Sequence, residues 1–346
     1  MDANHLLVTG GAGFIGANLV RYLRREHPQT RVSVVDKLTY AGNRRYLEEL
    51  IARHEVPLIV ADIADREAME GLFARSDFDG VIHLAAESHV DRSIRGPADF
   101  VQTNVVGSFV LLESARRAWE ERGIRGRFLH VSTDEVYGSL GPRGAFSERT
   151  PYDPSSPYSA TKASSDHLAR AYHRTYGMDV VITNCSNNFG PFQYPEKLIP
   201  VIIRRLRDGQ EVPVYGDGRH VRDWLFVEDH CRALSMAFAQ GESGRSYNVG
   251  AHNEWTNLDL VYALGDLVDR RMGRPAGTAR QMVSFVQDRP GHDRRYAIDA
   301  TRIRSELGWE PRWSFEEALA HTVDWYLRHM ERIWPGGGGL SAGRRV

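Results

Sequence analysis

Short apolar runs with little polar alternation recur through the first half of the chain. His5–Thr9, Arg31–Val35, Leu58–Ala61, Val81–Ala86, Phe128–Ser132 and Val180–Asn184 read as strands. Between them Phe14–Glu26 carries Ile15, Leu19, Val20 and Leu23 at helical spacing, and the long segments Asp99–Arg122 and Ser159–Tyr176 read as helices. A strand that is apolar on both faces needs cover on both, so strands of this kind separated by helices predict a parallel sheet between two helical layers. Pro157 suits the first turn of the last helix, where its missing N–H is not needed, with Ser155 and Ser156 before it as possible caps.

After Gly190 the pattern becomes irregular. Val212–Tyr215, Trp224–Val227 and Tyr247–Val249 are strand-like, Asn257–Met272 and Ser314–Arg332 have helical period, and Gly/Pro turns separate them. Two lobes are expected, 1–190 and 191–333, with some chain exchanged between them because strands of the first can continue past Asn184. Residues 334–346, with the glycine run 336–339, read as a flexible tail.

Composition narrows the field. At 346 residues the chain can bury a substantial core without disulfide or metal staples. Its 44 Lys+Arg against 45 Asp+Glu give a net charge of −1, which excludes a broadly basic nucleic-acid coat. Cys185 and Cys231 have no CxxC or His/Cys neighbours, so neither a disulfide framework nor a metal site is expected. No apolar run reaches membrane-spanning length and no basic leader precedes the first strand, so a cytoplasmic protein with no membrane partner is the expectation.

Gly10, Gly13 and Gly16 follow the first strand and open the first helix. This is a variant of the dinucleotide fingerprint: the first glycine permits the tight turn, the second lets backbone approach a pyrophosphate, the third lets helix and strand pack closely. The diphosphate then meets free N–H groups at a helix N-terminus. Asp36 lies 20 residues after Gly16, at the end of the second strand, where a carboxylate accepts from the ribose hydroxyls of NAD and repels the extra phosphate of NADP. Taken alone it would be an ordinary strand-end turn residue. Asp62 and Ile63 end the third strand and could border the adenine; a solvated loop Asp is an equal reading on sequence alone. The architecture predicted is α/β, a Rossmann-type doubly wound parallel sheet with a smaller C-terminal α/β substrate lobe.

Tyr158 and Lys162 stand at i and i+4 on one helix face. A tyrosine ordinarily ionises near pH ~10. An adjacent ammonium and a cationic nicotinamide would favour its phenolate and make it a base for a sugar hydroxyl. Thr133, Asp134 and Glu135 follow the fifth strand, where ligands of open α/β sheets bind. Two adjacent acids divide roles when their environments differ, one ionised as base and one protonated as acid.

Thr9–Gly16 (TGGAGFIG), Leu84–Ser88 (LAAES) and Tyr158–Lys162 (YSATK) resemble the extended short-chain dehydrogenase/reductases. Asp36–Asn43 (DKLTYAGN), His89–Ser93 (HVDRS), Thr133–Gly138 (TDEVYG), Ser186–Pro191 (SNNFGP), Arg222–Asp229 (RDWLFVED) and Arg289–Asp299 (RPGHDRRYAID) resemble more particularly the dTDP-glucose 4,6-dehydratases, over about Leu6 to Arg332. The resemblance implies NAD held by Gly10, Gly13, Phe14, Ile15, Gly16, Asp36, Lys37, Leu38, Thr39, Asp62, Ile63, Leu84, Ala85, Ala86, Ser88, Thr103 and Asn188, together with Tyr158 and Lys162. It implies catalysis by Thr133, Asp134, Glu135, Tyr158 and Lys162, with dTDP-glucose as substrate and NAD regenerated in each turnover. Facing the sugar nucleotide it places Ser88, Thr133, Asn187, Lys197, Leu198, Pro213, Tyr215, Arg222, Asn257, Arg289, His292 and Tyr296. Asn257 reads equally as a helix cap, and Tyr296 as core of the smaller lobe. A homodimer paired through the helices at Asp99–Arg122 and Ser159–Tyr176 is implied as well. The rivals are a dehydratase of another nucleotide sugar, a nucleotide-sugar 4-epimerase, which would not need both acids, and a binding protein without turnover, which would not need an intact Thr–Asp–Glu–Tyr–Lys set.

Overall fold

A computed structural model describes residues 3–288 and 293–334. In chain order its first strands are β1 (His5–Thr9), β2 (Arg31–Asp36), β3 (Leu58–Val60), β4 (Gly80–His83), β5 (Arg127–Thr133) and β6 (Asp179–Cys185). Then come β7 (Asn187–Phe189), β8 (Val212–Tyr215), β9 (Val221–Phe226), β10 (Ser246–Val249), β11 (Glu254–Thr256) and β12 (Val283–Val286). Seven strands form one parallel sheet in the order β10-β6-β5-β4-β1-β2-β3. The strand order turns back at β1, between β2 and β4, and this switch point opens a crevice at the strand C-termini.

Alternate residues of one strand face opposite layers. Leu6 and Val8 pack with Leu19, Val20 and Leu23 of the helix Phe14–Glu26 on one side. Leu7 packs with Trp119 and Tyr172, from the helices Ser108–Arg122 and Pro157–Tyr176, on the other. The doubly wound sheet expected from the apolar runs is therefore present. In the second half, β9 pairs with β7 and β11, β8 pairs with β12, and the helices Leu198–Arg207, Asn257–Arg271 and Phe315–Ile333 pack around them.

Four expectations shift. The strand expected over Val81–Ala86 ends at His83. Leu84 and Ala85 instead turn over the glycine loop, whose Gly10 sits against their backbone. The single helix expected over Asp99–Arg122 is a turn at Pro97–Phe100, a wider π-helical turn at Val101–Gly107, then Ser108–Arg122. Inside the wide turn Asn104 is buried, donating to the Glu87 carbonyl (3.0 Å) and to Thr161 Oγ1 (3.0 Å) while accepting from the Glu87 N–H (2.9 Å). Such bulges let a helix aim a side chain that regular winding would misplace. The strand expected at Trp224–Val227 runs over Val221–Phe226, and Val227 opens a helix to Gln240. Asn257 does not cap its helix; Thr256 does, its hydroxyl accepting from the Asp259 N–H (3.1 Å). The expected tail lies outside the described residues beyond Trp334.

The glycine turn has no room for side chains. Gly10 adopts φ +69°, and a Cβ on Gly16 would lie 2.1 Å from the Gly10 carbonyl oxygen. Because that obstacle is backbone, Gly16→Ala should sit at or beyond the usual overpacking cost of about 1–3 kcal/mol. The expected result is a clearly lower unfolding midpoint in calorimetry; an unchanged midpoint would mean that the turn yields freely.

Candidate active site

The crevice begins at the N-terminus of the helix Phe14–Glu26. Gly13 stands at the cap position with no side-chain cap bond, and no acidic residue occupies the first turn. The leading N–H groups are therefore left for a ligand, and with the helix dipole they favour a negative one. Above them Asp36 is 9% exposed, its carboxylate accepting from the N–H groups of Ala12 (2.9 Å) and Leu38 (2.8 Å). Burial raises its pKa, and those two bonds oppose the rise. Each oxygen keeps a further lone pair for a hydroxyl donor. Lys37 and Asp62 pair at 2.5 Å across the rim. Gly10, Gly13, Phe14, Ile15, Gly16, Asp36, Lys37, Thr39, Asp62, Ile63, Leu84, Ala85, Ala86, Ser88, Thr103 and Asn188 all line this one cavity. Leu38 does not line it; it holds a positive φ of 52° and supplies the N–H that fixes Asp36. A glycine cradle, uncapped N–H groups and a buried carboxylate at its far side fit a dinucleotide such as NAD.

At the other end of the same cavity stand Thr133, Glu135, Tyr158 and Lys162. The capping box at Ser156 and Ser159, with Pro157 in the first turn, fixes where the helix Pro157–Tyr176 begins and so where Tyr158 and Lys162 point. Lys162 is 4% exposed and donates to the Val131 carbonyl at 2.9 Å. Burial lowers its pKa. The phenolate expected of Tyr158 rests on Lys162 and a cationic nicotinamide acting together. The Tyr158 phenol is held well above its ordinary value by burial first, then by Glu135 and Cys185, against a hydrogen bond from Thr133. The ammonium of Lys162 keeps its charge while donating to the carbonyl of β5.

Asp134 and Glu135 occupy different surroundings. Glu135 faces the cavity, whereas Asp134 is 2% exposed behind Thr133 and does not line it. Thr133 Oγ1 donates weakly to one Asp134 oxygen (3.4 Å), and the other has no hydrogen-bond partner. Burial, then Glu135 and Asp223, raise the Asp134 pKa well above the usual carboxylate range, against Arg222. A raised carboxyl favours the fold below its unfolded pKa, and that contribution is lost as pH climbs through the folded value. Asp134→Asn is therefore expected to raise the thermal midpoint at pH ~8 and to lose this advantage near pH ~4, where the unfolded carboxyl is itself protonated. Calorimetry at the two pH values checks it, and an equal shift at both would contradict the assignment.

The residues expected to face a sugar nucleotide divide. Ser88, Asn187 and Lys197 line the cavity, and Lys197 Nζ donates to the Ser88 carbonyl (3.1 Å). Arg222 is buried on β9, donating to the carbonyls of Val221 (2.8 Å) and Asp293 (2.9 Å) with its guanidinium 4.3 Å from the Tyr296 ring centre. Tyr296 donates to Asp293 and packs with Val136, Tyr137, Phe146 and Ala163, so it belongs to a small core as well as to the Glu135 side of the site. Leu198, Pro213, Tyr215 and Asn257 do not line the cavity; Asn257 Oδ1 is buried without a partner, and Tyr215 is exposed. Arg289 and His292 lie outside the described residues. The sequence reading missed Tyr40, Glu87, Cys185, Tyr194 and Glu196 as cavity lining. Tyr40 meets Tyr194 edge-on at 5.6 Å and carries Arg92 over its ring at 3.6 Å. Its place four residues after Asp36 was the available signal.

A parallel sheet with a glycine turn at its switch point and a Tyr–Lys pair beside Thr133 defines a short-chain dehydrogenase/reductase of the extended kind. The family model described as GDP-mannose 4,6 dehydratase matches residues 7–322. The chain is 53% identical over 329 residues to a dTDP-glucose 4,6-dehydratase of Xanthomonas campestris, covering 94% of this chain and 93% of that protein. It is 50% identical over 341 residues to dTDP-glucose 4,6-dehydratase 1 of Escherichia coli K12, covering 95% and 94%. Among solved structures it resembles the Streptomyces venezuelae dTDP-glucose 4,6-dehydratase DesIV, solved with NAD bound, at TM-score 0.87 and 45% identity over 96% of this chain and 99% of that one. A UDP-glucose 4-epimerase of Thermotoga maritima matches at TM-score 0.84 and 31% identity, covering 94% and 100%. The chain belongs to the dTDP-glucose 4,6-dehydratase family.

Proposed function

We propose that the protein uses NAD to convert dTDP-glucose into dTDP-4-keto-6-deoxy-glucose and water. The observation that carries this is the pair of adjacent acids in unlike surroundings, Asp134 buried with its carboxyl pushed well above the usual range, Glu135 open to the cavity, beside Tyr158 and Lys162. An epimerase removes no water and has no use for such a pair.

When bound, NAD supplies the acceptor for the hydride of carbon 4 and the donor that returns it to carbon 6. The N-terminal turn of the helix Phe14–Glu26 and Asp36 would hold it at the diphosphate and a ribose, and Lys162 would orient the nicotinamide ribose. Tyr158 takes the proton of the 4-hydroxyl, with Thr133 bonded to the same oxygen. The resulting ketone acidifies the hydrogen on carbon 5, which Glu135 removes. Asp134, its carboxyl pushed up by burial, gives its proton to the departing 6-hydroxyl, and water leaves. A proton then returns to carbon 5. Ser88, Asn187 and Lys197, which line the cavity, and Arg222, whose charge acts on Asp134, are the polar candidates for the sugar and its diphosphate.

The reading assigns the cofactor to residues 1–190 and the sugar nucleotide chiefly to 191–333. It takes the active form to be a cytoplasmic homodimer joined through Asp99–Arg122 and Ser159–Tyr176. Among the described residues no helix is long and apolar enough to cross a membrane, and no cluster of metal-ligating side chains occurs. The test is a mass spectrum of the product after incubation with dTDP-glucose and, separately, with other nucleotide-glucoses. Loss of water from dTDP-glucose is expected. A product of unchanged mass with galactose configuration would instead support the epimerase.

A further inference from the structure

A second groove, between the helix Pro157–Tyr176 and β10, shares no residue with the cavity above. Arg149, Arg170, Arg174, Arg245, Arg302 and His167 line it, with Tyr152 as a wall and Glu148 as the one lining carboxylate among the described residues. In a chain of net charge −1 this is a marked local excess of cation.

Part of that excess is already neutralised. Arg245 is paired with Glu242 (2.7 Å) and Glu306 (2.5 Å). Glu148 accepts from the Asn248 N–H (3.0 Å) and lies 3.8 Å from Arg302. The remainder is not. Among the described residues, half-buried Arg170 donates only to neutral oxygens, the Tyr152 hydroxyl (2.7 Å) and Ser246 Oγ (3.2 Å), with its guanidinium over the Tyr152 ring. Arg149 and Arg174 have no carboxylate at ion-pair distance among the described residues. A cation near the end of the helix Pro157–Tyr176 is favoured by the helix dipole, which accounts for Arg174. It does not account for Arg149, which comes from the loop before Tyr152, or for Arg170 a turn earlier.

Three guanidiniums converging on one groove without matching carboxylates repel one another unless an anion sits among them. The guanidinium is a planar fork of donors that matches phosphate oxygens two at a time. We infer that this groove binds a phosphate-bearing anion, a phosphate monoester or diphosphate group, at a site separate from the dinucleotide cavity. Arg149, Arg170 and Arg174 supply the forks, and Arg302 and His167 form the flank. The inner wall is the outer end of a buried network, since the Tyr152 hydroxyl that accepts from Arg170 itself donates to Asp166 (2.8 Å), one helical turn past Lys162.

Calorimetric titration of the full chain loaded with NAD tests this with inorganic pyrophosphate and inorganic phosphate as probes. dTDP is left out because its own diphosphate would compete for the groove; a double variant of the groove arginines separates binding in the groove from binding in the first cavity. Sodium chloride at matched ionic strength is the control. Saturable binding is expected, weakened roughly tenfold or more in the double variant Arg149→Gln/Arg174→Gln, because each lost fork removes a charge-assisted pair. Both residues are exposed, so the variant should fold, which its unfolding midpoint verifies. Tighter binding of pyrophosphate supports a diphosphate ligand, and equal binding of both probes supports a monoester. No binding beyond the chloride control, or affinity unchanged in the double variant, overturns the inference; a groove closed by a second copy of the chain would give the former.

Discussion

Tyr158→Phe is expected to leave a folded protein that forms almost no reduced nicotinamide when mixed with dTDP-glucose. The substitution keeps the ring that packs edge-on against Phe100 at 6.4 Å and removes only the hydroxyl, so the loss falls on chemistry rather than on packing. A positioned base contributes about 10²–10⁴-fold, and single-turnover absorbance at the nicotinamide band measures it directly. The wild-type rate should also climb with pH, because the protein alone holds this phenol above its ordinary value and only ionised tyrosine can take the proton. The variant should show no such climb. Nicotinamide reduction at the wild-type rate in Tyr158→Phe would remove Tyr158 from its role and point to Thr133 or to a bound water.

Glu135→Gln separates the second stage from the first. Oxidation at carbon 4 needs Tyr158 and its surroundings, so nicotinamide reduction should persist. Removal of the hydrogen on carbon 5 needs a carboxylate in the cavity, so product formation should fall by about 10²–10⁴-fold. In deuterated solvent the recovered sugar nucleotide should carry no label at carbon 5, which mass spectrometry reads. Label at the wild-type level would shift the base to another group. Glu135 also adds to the raised pKa of both Asp134 and Tyr158. Removing its charge should therefore let Tyr158 ionise at lower pH, moving the first-stage pH profile in the acid direction.

Much of the sheet was legible because its strands are apolar on both faces, a pattern that only a doubly covered sheet produces. The end of β1 and the start of the helix Phe14–Glu26 could be read to the residue, since Gly10 to Gly16 mark them chemically. The wide turn at Val101–Gly107 was not legible. Its apolar residues keep an acceptable helical period, and the extra winding is imposed from outside, by Asn104 bonding Glu87 and Thr161 and by Gly107 closing on Ile63. The site followed the same division. Tyr158 and Lys162 share one helix face, so spacing alone predicted their neighbourhood. The unlike surroundings of Asp134 and Glu135 could not be seen in two adjacent letters, because they are set first by burial, which falls on Asp134, and only then by neighbouring charges, Asp223 and Arg222 of β9 among them. That the Lys162 ammonium also bonds the Val131 carbonyl could likewise not be read from the spacing of the two side chains.

The place of β10 bears on how the chain is made. Ser246 to Val249 pair in parallel with Ile182 to Cys185, so the edge of the cofactor sheet is completed by a strand some sixty residues downstream. During synthesis β6 leaves the ribosome long before its neighbour, with a row of unpaired N–H and C=O groups on one side. A bare edge of that kind recruits other strands. The nascent chain is therefore most vulnerable to misassembly in the interval before Val249 emerges. A fragment ending at Gly190 would carry that vulnerability permanently, whatever the completeness of its glycine turn and its Tyr–Lys pair.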